Sequence, residues 1–227
     1  MQTDLRIISI GALACHPLRG EQGDRRPGHA TTSLVQTDEV TLLVDPGLPP
    51  EVLVPRLSER AGLKPEEITH VFMTDLRPDR RRGISAFPEA QWLASERERD
   101  NYREALGVHA QEENDEPEYQ RLLETEAAFL GRCGTAPDSI APGVDLFPLP
   151  GATPGCCGIL LPMPRATILI CGDAIATTEH LAEGKVLPHV ADLEAAGESF
   201  REGIEIADIL VLGRDNIVLS PFKRMGM

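Results

Sequence analysis

Histidine, aromatic residues and long apolar runs are all scarce in this chain. It has 6 histidines in 227 residues, and aromatic residues make up 4% of the sequence. No stretch approaches the ~18 consecutive apolar residues that a membrane-spanning helix requires. The first residues also lack the apolar segment of a secretory signal. We therefore expect a protein of the cytoplasm that has no membrane partner.

Cysteine pairs at metal-binding spacing are absent as well. The 5 cysteines are scattered along the chain, and two of them, Cys156 and Cys157, are adjacent. This pattern is typical of neither a disulfide framework nor a zinc site built from CxxC pairs. Free thiols in a reducing compartment are the expectation, and Cys171, inside an apolar run, is expected to be an inert core residue.

Basic residues are outnumbered by acidic ones, 22 against 36, which gives a formal net charge of -14. A chain of this charge repels nucleic acid and anionic surfaces unless basic residues cluster locally. The sequence therefore predicts that nucleic acid is not a partner.

The remaining composition is that of a globular α/β protein. Apolar residues make up 41% and charged residues 26% of the chain, values typical of folded domains, and we expect one domain over residues 1–227. Short β-rich runs and segments of helical periodicity follow one another. The predicted strands are residues 5–13, 31–37, 40–47, 68–73, 90–94, 144–149, 157–161, 166–171 and 209–212, the last of them terminal. The predicted helices are residues 49–62, 111–130 and 193–207. Residues 96–100 read as the solvated face of another helix.

A polar segment, residues 73–83, directly follows the predicted strand at residues 68–73. Sites in open α/β sheets lie where strands end, so this segment is the first candidate for function. It contains Thr74, Asp75, Arg77, Asp79 and Arg80.

At this segment the sequence resembles the metallo-β-lactamase superfamily. The signature loop of that family reads Thr-His-x-His-x-Asp-His-x-x-Gly. Thr74, Asp79 and Gly83 match it, whereas the three histidines are replaced by Asp75, Arg77 and Arg80.

Three further fragments follow in the family's order. Residues 149–155 are similar to its Thr-Pro-Gly-His-Thr-Pro-Gly turn, with Ala152 at the histidine. Residues 170–174 match its Gly-Asp motif, where Asp173 stands at the metal-bridging carboxylate, and residues 207–214 resemble its terminal motif with Arg214 at the histidine. The resemblance implies an αββα sandwich whose five metal-binding histidines have all been replaced.

Coordination chemistry then predicts that zinc is not bound. A guanidinium has no lone pair to donate and an alanine side chain has no ligand atom, so we predict no metal and no cofactor. Whether the aspartates keep a hard ion such as Mg²⁺ stays open. Charge pairing offers a metal-free alternative, a buried network in which three arginines neutralise three aspartates: Arg77, Arg80 and Arg214 with Asp75, Asp79 and Asp173.

Four more residues are candidates for lining the cleft. Asp45 lies in the ending of the predicted strand at residues 40–47, which resembles a strand ending of the family in which the aspartate structures the turn that faces the site. His29 lies in an early loop. Arg81 and Arg82 complete the basic run of the signature segment, and we expect them to stay solvated or to line the rim of the cleft. A surface role is the alternative for His29, since a lone imidazole is weak evidence of function.

Three classes of function are consistent with these features. The first is a non-catalytic pseudoenzyme of the metallo-β-lactamase fold that binds a small anionic ligand or a protein partner. The alternative is a hydrolase that resembles the glyoxalase II or lactonase branches and uses an atypical metal site or no metal. The third is a scaffold subunit of a homo- or hetero-oligomer, and a homo-oligomer is compatible with the first two hypotheses as well.

Overall fold

The structure is a computed structural model that describes residues 3–111, 114 and 116–221. Its framework is two sheets of six strands each. The first sheet comprises β1 (Asp4–Ser9), β2 (Thr32–Gln36), β3 (Thr41–Val44), β4 (His70–Phe72), β5 (Gln91–Ala94) and β6 (Gly134–Thr135). The second comprises β7 (Ser139–Ala141), β8 (Val144–Pro148), β9 (Cys157–Met163), β10 (Ala166–Ile170), β11 (Ile209–Val211) and β12 (Ile217–Leu219).

Helices connect the strands and cover the outer faces of both sheets. They are α1 (Pro50–Ala61), α2 (Pro78–Arg81), α3 (Glu96–His109), α4 (Pro117–Arg132), α5 (Thr178–Glu183) and α6 (Leu193–Ile206). None of the described helices is both long enough and apolar enough to cross a membrane.

Strand order follows the sequence in each sheet. In the first sheet β1, β2 and β3 pair antiparallel, and β3 to β6 pair parallel. In the second sheet β10 and β11 pair parallel, and the remaining neighbours pair antiparallel. Within each parallel pair, β3–β4 and β10–β11, the two strands end at the same edge of their sheet. Polar turns follow these strand ends.

Helices, first sheet, second sheet and helices form four layers, and an apolar cluster lies at each of the three interfaces between them. One cluster packs the first sheet against α1, α3 and α4, and includes Leu53 and Phe129. A second lies between the sheets, with Val44 and Ile170 among its members, and a third packs the second sheet against α6 through Phe200. The predicted αββα sandwich is confirmed.

Local signals explain where the helices begin and end. Pro50 occupies the first turn of α1, where its missing N–H is not needed, and Gly62 ends the helix with a φ of 68°. At α3 the Ser95 side chain accepts a hydrogen bond from the Glu98 backbone N–H, which satisfies one of the free donors at the helix start.

Some predicted elements differ from the structure. β12 follows β11, so the strand at residues 209–212 is not terminal, and α5 was not predicted. The helix predicted over residues 111–130 begins only at Pro117, which favours a first helical turn. Residues 112, 113 and 115 of that prediction lie outside the described part of the chain.

Candidate functional site

Polar residues from both sheets meet where the two parallel pairs end. Asp45 follows β3, and Asp75 follows β4 at the start of the segment that leads into α2. Asp173 follows β10, and Arg214 follows β11. Because carboxyl ends of parallel strands lie at one edge of a sheet, the four turns bring these side chains together between the sheets.

Arg80 is the centre of this cluster and has no exposed surface. Its Nε donates to Asp75 Oδ2, and its Nη1 donates to Asp45 Oδ2 at 2.7 Å. Its Nη2 lies in ion-pair contact with Asp173 Oδ1 without hydrogen-bond alignment. One guanidinium thus connects carboxylates that belong to both sheets.

Two further arginines complete the cluster. Arg214 donates from Nε and Nη2 to the two oxygens of Asp173, both at 2.9 Å, and from Nη1 to Asp79 Oδ2. Arg77 donates from Nε and Nη2 to the two oxygens of Asp75, at 2.9 and 2.6 Å, and from Nη2 also to Asp173 Oδ2 at 2.6 Å. These bidentate pairs have the geometry in which guanidinium and carboxylate bind most strongly.

The cluster holds one more carboxylate than the sequence predicted. The prediction paired three aspartates with three arginines, but Asp45 belongs to the cluster through Arg80. Three guanidinium groups therefore face four carboxylates: Arg77, Arg80 and Arg214 with Asp45, Asp75, Asp79 and Asp173. With every group ionised, the cluster carries one excess negative charge.

Burial and neighbouring charges separate the pKa values of the carboxylates. Burial opposes ionisation of Asp75, but Arg80 and Arg77 outweigh it and lower the pKa of Asp75 to about 2. Burial likewise opposes ionisation of Asp173, whose pKa is nevertheless held well below its usual range by Arg214, Arg80 and Arg77. At Asp45 burial prevails over Arg80 and raises the pKa to about 6. Of Asp45, Asp75 and Asp173, Asp45 is therefore the one that takes up a proton first as the pH falls.

Strained and close-packed backbone holds these side chains in place. Asp45 has a φ of 52°, and no other non-glycine residue in the described ranges has a positive φ. Its carboxylate is fixed from a second side, since it accepts bonds from the backbone N–H and the hydroxyl of Thr74. A side chain at Gly213 would begin 2.2 Å from the Gly172 carbonyl oxygen, so the turns that carry Asp173 and Arg214 can approach only through glycine.

A cleft of about 350 Å³ opens beside the cluster. Its charged floor is formed by Arg77, Asp79, Asp173 and Arg214, with Asp24 and His189 also in the lining. The rest of the lining is largely apolar and comes mainly from two segments: Leu13, Ala14, Cys15 and Pro17, and Leu187 and Pro188. The volume is within the range of small-molecule sites.

The four candidates for cleft lining lie elsewhere. Arg81 is the clearest correction: its side chain points to the outer layer, where Nη2 donates to Glu126 at 2.5 Å and the guanidinium lies 4.0 Å from the Phe129 ring. Arg82 is exposed, His29 is half-buried, and Asp45 lies inside the cluster. None of the four contributes to the lining of the cleft.

Glu98 was missed because its charged neighbours suggested a solvated helix face. The residue is 4% exposed. Its carboxylate accepts bonds from the Leu76 backbone N–H, the Thr153 hydroxyl and the Gly155 backbone N–H. Glu98 thereby ties the signature segment to the turn that contains Ala152. The capping position of Ser95 was the one signal that could have placed Glu98 on a buried helix turn.

All five cysteines are free thiols, and they differ in access. Cys133, Cys156, Cys157 and Cys171 are buried, which agrees with the expectation for Cys171. Cys15 is partly exposed and lines the cleft. It is therefore the thiol whose reactivity should depend on what occupies the cleft.

The donor set at the family's metal positions does not suit zinc. Arg77, Arg80 and Arg214 have no lone pair to offer, and Ala152, buried in its turn, has no ligand atom. The oxygens of Asp75 and Asp173 are already engaged by guanidinium groups. Within residues 3–111, 114 and 116–221, no group of three or more histidine, cysteine, aspartate or glutamate side chains is arranged to hold a metal ion.

Solved structures with a similar fold include a dizinc lactonase. A putative metallo-beta-lactamase from Thermotoga maritima has a TM-score of 0.69 at 18% identity and covers 96% of this chain and 100% of its own. AidC, a dizinc quorum-quenching lactonase, has a TM-score of 0.64 at 17% identity, with 81% and 71% coverage. A quorum-quenching N-acyl homoserine lactone hydrolase has a TM-score of 0.61 at 21% identity, with 82% and 79% coverage. These likenesses show the fold.

Sequence comparison identifies the family. No curated protein sequence matches the chain. The sequence profile of the Metallo-beta-lactamase superfamily, however, matches residues 25–208. This range contains the signature segment, the Ala152 turn and the Gly-Asp motif. The chain belongs to the metallo-beta-lactamase superfamily.

Proposed function

We propose that this chain is a non-catalytic member of its superfamily, a pseudoenzyme whose cleft binds a small ligand through a carboxylate group. The observation that carries the proposal is the position of Arg80, whose guanidinium lies among three buried carboxylates at the loop where the family places metal ligands. Hydrolysis by zinc requires a bound water whose pKa the metal lowers from ~16 to ~7. A guanidinium pairs with the same carboxylates but activates no water.

Arg77 supports the ligand-binding part of the proposal. Its side chain is 33% exposed, whereas that of Arg214 is 4% exposed and that of Arg80 is fully buried. Arg77 and Arg214 both line the cleft, and Arg77 is the more accessible of the two to a ligand. Guanidinium is the side chain best suited to bind a carboxylate.

The apolar walls favour a ligand with a short apolar part. AidC was solved with its product N-hexanoyl-L-homoserine, a carboxylate that carries an acyl chain. A smaller ligand with the same two features suits the cleft described above. It would place its carboxylate at Arg77 and its apolar part between Leu13 and Leu187.

A metal-independent hydrolase is the second candidate. Asp79 favours it, because its carboxylate is 29% exposed in the cleft and could accept a proton from a water. Ester, lactone and thioester substrates test this alternative. Turnover that disappears in Asp79→Asn would establish it over the non-catalytic proposal.

We predict that the purified protein holds no stoichiometric zinc, because three of the family's histidine positions are arginines and one is alanine. Elemental analysis after expression in zinc-supplemented medium measures this directly. The expected content is well below one ion per chain. A ratio near one or two would show that other residues bind the metal, and the proposal would then fail.

We also predict that a carboxylate ligand protects Cys15 from alkylation. The rate of Cys15 modification by iodoacetamide should fall in the presence of isocaproate, which has a carboxylate and a branched apolar chain. Isoamylamine, which has a similar chain but an ammonium group, should protect less. Buried Cys171 serves as the internal control, since its modification reports unfolding. Equal rates with and without isocaproate would contradict ligand binding through Arg77.

A further inference from the structure

The charges around the cleft do not favour a ligand that is only an anion. The lining contains two guanidinium groups, Arg77 and Arg214, and three carboxylates, Asp24, Asp79 and Asp173. Beneath the lining, Arg80 faces the carboxylates of Asp45 and Asp75, so the buried remainder of the cluster adds one further excess negative charge. A multiply charged anion such as phosphate or citrate would therefore meet net repulsion.

Two residues of the cleft lining each have one polar atom without a hydrogen-bond partner among the described residues, a donor on Arg77 and an acceptor on Asp79. No described residue accepts a hydrogen bond from Arg77 Nη1, since its contacts with Asp75 and Asp173 use Nε and Nη2. Asp79 receives Arg214 at Oδ2, and no described residue donates to its Oδ1. The two side chains are 33% and 29% exposed.

Arg77 and Asp79 also remain apart from each other. Both line the same cleft, yet the ion pairs of Arg77 are with Asp75 and Asp173, and that of Asp79 is with Arg214. A cation and an anion that share a cleft without pairing can each bind a charge on one ligand. Such a ligand needs a carboxylate for Arg77 and an ammonium group for Asp79.

We propose that the ligand of this cleft is a small zwitterion, an α-amino acid with an apolar side chain. This inference rests on the proposed function and specifies its ligand. The carboxylate binds Arg77 Nη1, the ammonium group binds Asp79 Oδ1, and the side chain packs on Leu13, Pro17 and Leu187. A zwitterion adds no net charge to a site that already has excess negative charge.

The size of the cleft agrees with this class of ligand. About 350 Å³ is near the lower end of the ~300 to 1,000 Å³ range of small-molecule sites. This space suits an amino acid better than a nucleotide or an extended peptide. The apolar walls favour leucine, methionine or phenylalanine over polar amino acids.

Alkylation of Cys15 and isothermal titration calorimetry on the full chain test the inference with matched compounds. L-Leucine is compared with isocaproate, which lacks the ammonium group, and with isoamylamine, which lacks the carboxylate. L-Methionine and L-phenylalanine are tested in parallel. Leucine, or one of these two, should bind roughly tenfold or more tightly than either singly charged compound, because each loses a charged hydrogen bond.

Two variants that replace a charged side chain by a neutral amide assign the two charges. Asp79→Asn should reduce the preference for leucine over isocaproate, and Arg77→Gln should reduce the preference for leucine over isoamylamine. Arg103→Gln, which removes an exposed ion pair with Asp100, is the control and should leave both ratios unchanged. The comparison of compounds on the unmodified chain stands even if a variant fails to fold.

The outcomes separate the inference from the proposed function. If isocaproate binds as tightly as all three amino acids, the zwitterion is wrong and a carboxylate ligand remains. If phosphate or citrate binds more tightly than they do, the charge argument is wrong as well. If no compound protects Cys15 or releases heat, both the inference and the proposed function fail.

Discussion

Arg80 and Arg81 are consecutive residues of α2, yet they point into different regions of the molecule. Arg80 lies between the sheets, is fully buried and contacts only cluster carboxylates among its ion-pair partners. Arg81 lies under the outer helices with 10% of its side chain exposed, where it contacts Glu126, the Tyr102 hydroxyl and the Leu76 carbonyl. Each guanidinium has several partners, so the number of contacts does not distinguish them.

The two arginines differ in the carboxylates that would lose their partner if the arginine were removed. Without Arg80, the carboxylates of Asp45, Asp75 and Asp173 would share the same buried space without their common partner. Without Arg81, the carboxylate of Glu126, which is 13% exposed, can turn towards water. An unpaired buried charge costs several kcal/mol, whereas a charge that reaches solvent costs little. The two positions therefore contribute unequally to stability.

Of the substitutions considered, Arg80→Met should cause the largest loss of stability. It keeps much of the side-chain length but removes the charge, so the free energy of unfolding should fall by about 3 to 5 kcal/mol. Urea unfolding followed by circular dichroism measures the change. Because whole domains are stable by only ~5 to 15 kcal/mol, the variant should unfold at a markedly lower urea concentration.

Arg81→Met is the matched control on the neighbouring residue. It should lower the free energy of unfolding by only about 1 kcal/mol, since methionine can keep part of the packing on Phe129. Equal losses for the two variants would show that burial of the cluster does not determine its energetic weight. If Arg80→Met cannot be purified, Arg80→Lys, which keeps the charge but loses the fork geometry, supplies an intermediate comparison.

The sequence predicted much of this site because its positions are set by strand ends. Asp75, Asp173 and Arg214 each follow an apolar β-rich run. The end of such a short run can be located from the sequence once the turn that follows it is recognised. Opposite charges at neighbouring turns then implied pairing, and the structure joins all six predicted partners in one cluster. The resemblance to the family supplied the order of the turns.

What the sequence could not supply was the direction of individual side chains. Arg80 and Arg81 lie in one uninterrupted basic run, and only the rotation of α2 separates the buried residue from the outer one. Glu98 likewise sits among charged neighbours but faces inward on α3. Asp45 joins the cluster by a backbone conformation with positive φ, which local composition does not reveal. Each of these depends on packing between distant segments.

The dependence of stability on pH tests the cluster further, because Asp75 and Asp45 should change the free energy of unfolding in opposite directions. The pKa of Asp75 is lowered to about 2, from ~3.9 in an unfolded chain. Its contribution to stability is therefore present above about pH 4 and is lost as the pH falls towards about 2. The pKa of Asp45 is raised to about 6, so the folded state holds a proton that the unfolded state has released. Stability should accordingly fall as the pH rises from about 4 to about 6.

Asp45→Asn removes the second effect and isolates it. The variant loses a carboxylate whose ionisation the fold opposes, so its stability relative to the unmodified chain should improve by roughly 2 kcal/mol between about pH 4 and about pH 7, since one pKa unit corresponds to ~1.4 kcal/mol. Above about pH 7 the difference should stay constant. Asp4→Asn, at an exposed ion pair with Arg6, is the control and should show no comparable change over that interval. Urea midpoints for the three proteins at closely spaced pH values provide the measurement.

A difference between Asp45→Asn and the unmodified chain that does not vary with pH would mean that Asp45 ionises as readily as an exposed aspartate. Arg80 would then neutralise Asp45 fully, and the inequality between Arg80 and Arg81 would have to come from Asp75 and Asp173 alone.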